Sequence, residues 1–278
     1  MNAHRPLWGA IAAMIVGLSP GLRAQVSSKP LVVGEVLELQ SAVLGEQRVL
    51  NVVLPHGYSP DGAARYPVIF VLDGGLDEDI LHTSGAVQFA AFPWVAWMPQ
   101  SIVVGVVSID RKRDFTHPTS IAKDKADFPT AGGSAAFLRF LAEEAIPSVD
   151  ARFRTEPRRM LIGQSLGGLF ATEVLMERPD LFTDYLIVSP SLWWDDGTVL
   201  RRDARFTADR SLAPARVFVA VGREHPVMVK GAKRLADLVR RSPRTRVGFA
   251  RLSAFDHAAI MHQALLDGLR WMAEGGRR

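Results

Sequence analysis

The chain has 278 residues, 48% of them apolar, and a net charge of +4. That apolar content is enough for one large domain with a real core, and an ordinary charged fraction of 22% excludes a disordered or fibrous chain. Cysteine is absent, which excludes disulfides, thiolate metal sites and a cysteine nucleophile.

Residues 1–24 read as a secretory signal. His4 and Arg5 give a short basic start, 7–18 is an apolar run too short to span a bilayer comfortably, and Leu22-Arg23-Ala24 offers a cleavage site before Gln25. The expected organisation is therefore a leader over 1–24 and a single domain over 25–278, exported to the periplasm or secreted. No stable membrane insertion is expected once the leader is gone; the rival reading is a permanent N-terminal anchor. Losing Arg5 and Arg23 lowers the net charge from +4 to +2, and no arginine-rich run is present, so nucleic acid is not an expected partner.

Beyond a polar linker, 31–44 and 47–54 alternate apolar and polar residues, as two antiparallel strands joined near Gly45-Glu46 would. The run 67–72 is continuously apolar, like a strand buried on both faces, and stops at Asp73-Gly74-Gly75. A second such run, 101–109, stops at Asp110-Arg111. A helix is predicted over about 133–149. Next, Met160-Leu161-Ile162 runs straight into Gly163-Gln164-Ser165-Leu166-Gly167, with a helical pattern through Met176. Strands at 185–188, 216–221 and 246–252 follow, interleaved with helices near 230–240 and 258–272. Strands alternating with helices imply a mostly parallel central sheet covered by helices on both faces, with functional groups at the carboxyl ends of the strands.

The strand, G-x-S-x-G and helix around Ser165 describe a nucleophile elbow, the turn that presents a catalytic serine in an α/β-hydrolase fold. A strained backbone at Ser165 brings its neighbours into near contact, so Gly163 and Gly167 are expected to have no room for side chains. Leu166 N–H is then placed to hold a developing oxyanion. A serine needs a base from another strand end. His257, in Ser253-Ala254-Phe255-Asp256-His257 between the last strand and last helix, has that position and preserves the order serine, acid, histidine; His262 falls inside the helix. The acid is expected at Glu224, after the penultimate strand, where it would fix the histidine tautomer. Asp195 and Asp196 are rivals, as is a dyad without a carboxylate. The second oxyanion donor is expected from Gly74, with Gly75 close behind it. For the substrate, Arg111 and Arg113 offer cations, and Trp193 and Trp194 offer aromatic faces.

Val71-Leu72-Asp73-Gly74, Asp110-Arg111-Lys112-Arg113-Asp114-Phe115-Thr116, 163–169 and Ser189-Pro190-Ser191-Leu192-Trp193-Trp194 occur in that order. Together they resemble the putative-esterase (esterase D-like) branch of the α/β-hydrolases, and within it the periplasmic esterases that cut trilactone siderophores of the enterobactin and salmochelin type. The resemblance runs from about Leu31 to the C-terminus. It implies Ser165 as nucleophile, His257 as base, and a small-molecule ester as substrate, with a ferric catecholate siderophore as the leading choice. Neither a metal nor an organic cofactor is expected, because an adjacent base activates the serine. The chain departs from the family at Gln164 and Leu166, where a histidine and an aromatic are common, and at Asp256-His257-Ala258, which lacks the usual glycines. The same branch contains feruloyl and acetylxylan esterases and mycolyl transferases, so carbohydrate esters and acyl transfer stay open. A periplasmic binder that kept the fold without the chemistry is the competing class.

Overall fold

The structure is a computed structural model and describes residues 27–201, 214 and 216–274. The leader expected over 1–24 lies outside the described residues. Residues 27–32 carry no helix or strand and are exposed, whereas from Val33 onward the described residues form one compact unit.

That unit is built on eight strands: β1 (Gly34–Gln40), β2 (Gln47–Val53), β3 (Tyr66–Leu72), β4 (Ile102–Val106), β5 (Thr155–Gln164), β6 (Asp184–Val188), β7 (Arg216–Gly222) and β8 (Arg246–Leu252). They form a single sheet in the order β1-β2-β4-β3-β5-β6-β7-β8. The two N-terminal strands pair antiparallel with each other, β2 pairs antiparallel with β4, and every other pairing is parallel. β1 alternates half-buried and exposed residues, as an edge strand with one wet face does, whereas β4 and β6 are buried throughout. This is the mixed α/β architecture expected of an α/β-hydrolase.

Among the described residues the six longest α-helices cover the sheet: α1 (Ile80–Ala90), α2 (Ser134–Phe140), α3 (Ile146–Arg152), α4 (Leu166–Glu177), α5 (Pro226–Val239) and α6 (Ile260–Glu274). One hydrophobic core packs Ile80, Val87, Ile260 and Leu265 of α1 and α6 against one face. A larger core packs residues of the other four helices, among them Phe137, Val149, Phe170 and Leu235, against the opposite face. The helix predicted over 133–149 is one rod interrupted by a π-helical turn at Leu141–Ala145. α1 has no counterpart in the sequence reading. Leu81 and Phe89 are exposed on it while Ile80, Ala86 and Val87 are buried, so it lacks the apolar stripe that makes a helix legible. Among the described residues no helix is long and apolar enough to cross a membrane.

Because β3 to β8 all run the same way, their carboxyl ends share one edge of the sheet. That edge carries Asp73, Ser165, Ser189, Glu224 and the loop that follows β8.

Candidate active site

β5 ends at Gln164, and Ser165 turns the chain into α4 with φ 59° and ψ −117°, a backbone conformation that few side chains adopt. The turn is pinned on both sides. Ser165 N–H donates to the Val188 carbonyl at 3.0 Å, and the Ser165 carbonyl accepts from Leu169 N–H and Ser191 N–H. A Cβ at Gly163 would lie 2.4 Å from the Gly167 carbonyl oxygen, so the glycine there is obligatory. At Gly167 the expectation needs correction: its nearest neighbours would be 3.4 Å away, in ordinary contact, and the second crowded glycine is Gly168, 3.0 Å from Pro190 Cα. Asp73 (φ 53°) and Ser189 (φ 43°) are also left-handed, so three neighbouring strands, β3, β5 and β6, each end in a strained non-glycine residue.

His257 follows β8 and keeps 45% of its side chain exposed, whereas the Glu224 side chain is 4% exposed. Their contact, Nδ1 to Oε2, is 3.0 Å. An ionised carboxylate only accepts, so Nδ1 carries the proton and Nε2 is left to accept one. Glu224 is itself held through Oε1, which accepts from Gly222 N–H at 3.0 Å and from the Ser189 hydroxyl. The histidine loop is tied to the elbow by Gln164, whose Nε2 donates to the His257 carbonyl, and to the β7 loop by Arg223 N–H on the Phe255 carbonyl. Ser165, Glu224 and His257 line one cavity of about 390 Å³, together with Trp193, Arg223, His225 and Met228. The Ser191 hydroxyl lies 3.4 Å from the Ser165 Oγ in the same cavity. Leu166 opens α4, where a backbone N–H has no partner within the helix.

Other expected residues lie elsewhere. Gly74 N–H donates to the Val106 carbonyl at 2.9 Å, and its missing Cβ makes room for Gly105 Cα, 2.2 Å from where that atom would be. The glycine serves close packing of two strand ends, and its N–H is not offered to a ligand. Gly75 N–H is likewise occupied, by Glu78 Oε2 at 2.8 Å. Asp195 is taken up by the Ser120 N–H and the hydroxyls of Thr119, Ser120 and Thr198. Burial alone would raise its carboxyl, but those donors outweigh it and hold it down at about 2. Asp196 is exposed and pairs with Arg201. Neither aspartate lines the cavity.

Arg111 does not line it either. Its guanidinium is committed as a fork to Asp73, Nε to Oδ1 at 3.0 Å and Nη2 to Oδ2 at 2.9 Å. Arg113 is held by Glu46 and Asp114 in a network with the buried Arg48. The two tryptophans part company. Trp193 faces the cavity with its ring held edge-on by Phe128 and Trp194, whereas Trp194 is fully buried and donates through Nε1 to the His117 carbonyl. Trp194 is therefore a core residue and not a ligand face. Among the described residues no cluster of three or more His, Asp or Glu could hold a metal ion. Ser189, Gln164 and Arg223 were not singled out by the sequence as site residues. Ser189 and Gln164 stand inside the quoted motifs, but nothing local shows that one holds Glu224 and the other the His257 loop.

The model of the family described as "Putative esterase" matches residues 41–246. The chain belongs to this esterase family. It is 29% identical to ferri-bacillibactin esterase BesA of Bacillus subtilis over 192 residues, which are 64% of this chain and 66%, just under two thirds, of that protein. The fold matches the crystal structure of the BES protein from Bacillus cereus with a TM-score of 0.77 and 28% identity, over 90% of this chain and 99% of that one. It also matches an IroE-like serine hydrolase from Shewanella oneidensis, with a TM-score of 0.75 and 27% identity, over 87% and 80% of the two chains.

Proposed function

We propose that this esterase-family chain is a serine carboxylic-ester hydrolase that works through an acyl-enzyme. The observation that carries the reading is the Glu224–His257 contact at 3.0 Å in the cavity that Ser165 lines from its strained turn. Ser165 Oγ attacks the ester carbonyl while His257 Nε2 takes its proton, and the buried Glu224 carboxylate stabilises the imidazolium that results. Leu166 N–H receives the charge developing on the carbonyl oxygen. The alcohol departs with the proton from His257. A water then gives its proton to the same nitrogen, attacks the acyl group and frees the acid and Ser165.

The substrate class we propose is a siderophore ester, acted on in the periplasm by residues 25–278 after removal of a leader over 1–24. Support comes from the relatives, one named as a ferri-bacillibactin esterase, and from Trp193, whose ring is available for stacking on an aromatic ligand. The test is hydrolysis of ferric and iron-free trilactone catecholates against nitrophenyl, feruloyl and acetyl-sugar esters, in wild type and Ser165→Ala. The variant should keep its fold and lose turnover by several orders of magnitude. A residual rate above about a tenth of wild type would remove Ser165 from the mechanism. Cleavage of sugar esters without trilactones would remove the siderophore.

A further inference from the structure

The cavity contains a guanidinium with no acidic partner among the described residues. Arg223 is exposed at its wall, and no carboxylate of the described residues pairs with its side chain. Two other arginines near the carboxyl edge of the sheet are neutralised, Arg111 by Asp73 and Arg113 by Glu46 and Asp114. The two acids in the cavity wall are already engaged. Glu224 is turned inward onto His257, Ser189 and Gly222, and Asp256 Oδ1 accepts from Ala258 N–H and Ala259 N–H at 3.1 Å each. The Arg223 backbone is fixed at the same time, by its N–H on the Phe255 carbonyl at 2.7 Å. A second donor stands beside it. His225 lines the cavity too, and its Nδ1 accepts from Val227 N–H at 3.3 Å, so the neutral ring carries its proton on Nε2.

We infer that Arg223, with His225 next to it, forms an anion subsite that makes the cavity select esters bearing paired anionic oxygens, as in a carboxylate or an ionised ortho-diphenol. A guanidinium stays charged at any working pH, and its planar fork matches two adjacent oxygens. With no carboxylate among the described residues to meet it, the counter-charge comes from the ligand. The inference rests on the esterase reading for its consequence in catalysis, and the subsite itself is testable apart from it.

The experiment has two arms. In the first, kcat/KM is measured for 4-nitrophenyl hemisuccinate, whose acyl chain ends in a carboxylate, and for neutral 4-nitrophenyl butyrate. R223Q should lower the anionic-to-neutral ratio by about tenfold, the scale of one lost charge-assisted contact, through KM, and R223K should recover part of it. Added salt should erode the ratio in wild type and not in R223Q. In the second arm, calorimetry compares binding of 2,3-dihydroxybenzoate and neutral 2,3-dihydroxybenzamide. Wild type should favour the acid and R223Q should not. An unchanged ratio in both arms would overturn the subsite. If wild type hydrolyses neither ester, the esterase reading fails, while the calorimetric preference still decides for or against Arg223.

Discussion

Glu224→Gln isolates the acid from everything else in the site. The glutamate accepts at both ends: at Oε1 from Gly222 N–H and the Ser189 hydroxyl, at Oε2 from His257 Nδ1. An amide has one oxygen and one NH₂ group. The oxygen must stay with Gly222 and Ser189, which donate, so the NH₂ is forced towards His257. The imidazole then has to accept at Nδ1 and carry its proton on Nε2, where it cannot take one from Ser165. The lost charge adds to the wrong tautomer. Across 3.0 Å, attraction between carboxylate and imidazolium is about 5 kcal/mol at an effective dielectric near 20. Because the His257 side chain is 45% exposed, solvent screening reduces that to roughly half. The expected loss in kcat is therefore about 10²–10⁴-fold, at about 1.4 kcal/mol per factor of ten. The assay is single-turnover and steady-state hydrolysis of 4-nitrophenyl butyrate at pH 8, with thermal unfolding followed in parallel. A loss below about fivefold with an unaltered fold would show that Ser165 and His257 work as a dyad, and the tautomer reasoning would be wrong.

Two further outcomes follow from the β3 end of the site. Arg111→Ala should lower kcat/KM by similar factors for hemisuccinate and butyrate esters, because it frees the largely buried Asp73, beside the elbow, from its ion pair; a loss confined to the anionic ester would return Arg111 to the ligand. Asp79, just before α1, has its carboxyl pushed up to about 6, first by burial and then by the negative charges of Asp73 and Glu78, against the pull of Arg111. A raised acid favours its protonated form in the fold, so the stability it contributes is complete below about 3.8 and is lost as pH rises through about 6. Asp79→Asn removes that loss and should stabilise the protein by about 1–3 kcal/mol at pH 8 with no gain near pH 4. Urea unfolding at the two pH values checks it, and equal gains at both would mean that charge is not the cause.

What the sequence made legible is what local pattern controls. The apolar runs ending at Leu72, Ile162 and Val188 are strands because a sheet covered on both faces demands continuous hydrophobicity. Gly163 marks the elbow because its crowding partner is only four residues away. Chain order and strand ends put His257 and Glu224 on neighbouring loops, and the structure sets them 3.0 Å apart. The misses are long-range. Arg111 meets Asp73 only because β4 lies beside β3, a crossing that periodicity does not record. Gly74 signalled close approach correctly, but the approaching atoms belong to Gly105 and not to a ligand. Trp193 and Trp194 share one loop, where no period tells the inward ring from the outward one. Arg223 stands beside Glu224 in the chain, yet the structure turns that carboxylate onto His257.

Asp73, Ser165 and Ser189 sit in sparsely populated backbone regions on three adjacent strand ends, each at a cost on the order of 1–3 kcal/mol. The tightly packed sheet beneath, and the backbone hydrogen bonds that pin Ser165 and Ser189, hold them there. The reactive edge is thus a loaded spring clamped by the core, and the edge is the first part to give when heat or a weakening substitution slackens that clamp. Such a molecule stops working before it stops being folded. Damage away from the elbow, at Phe70 or Phe182 for instance, would be felt at the serine as a lost geometry while the secondary structure still stands.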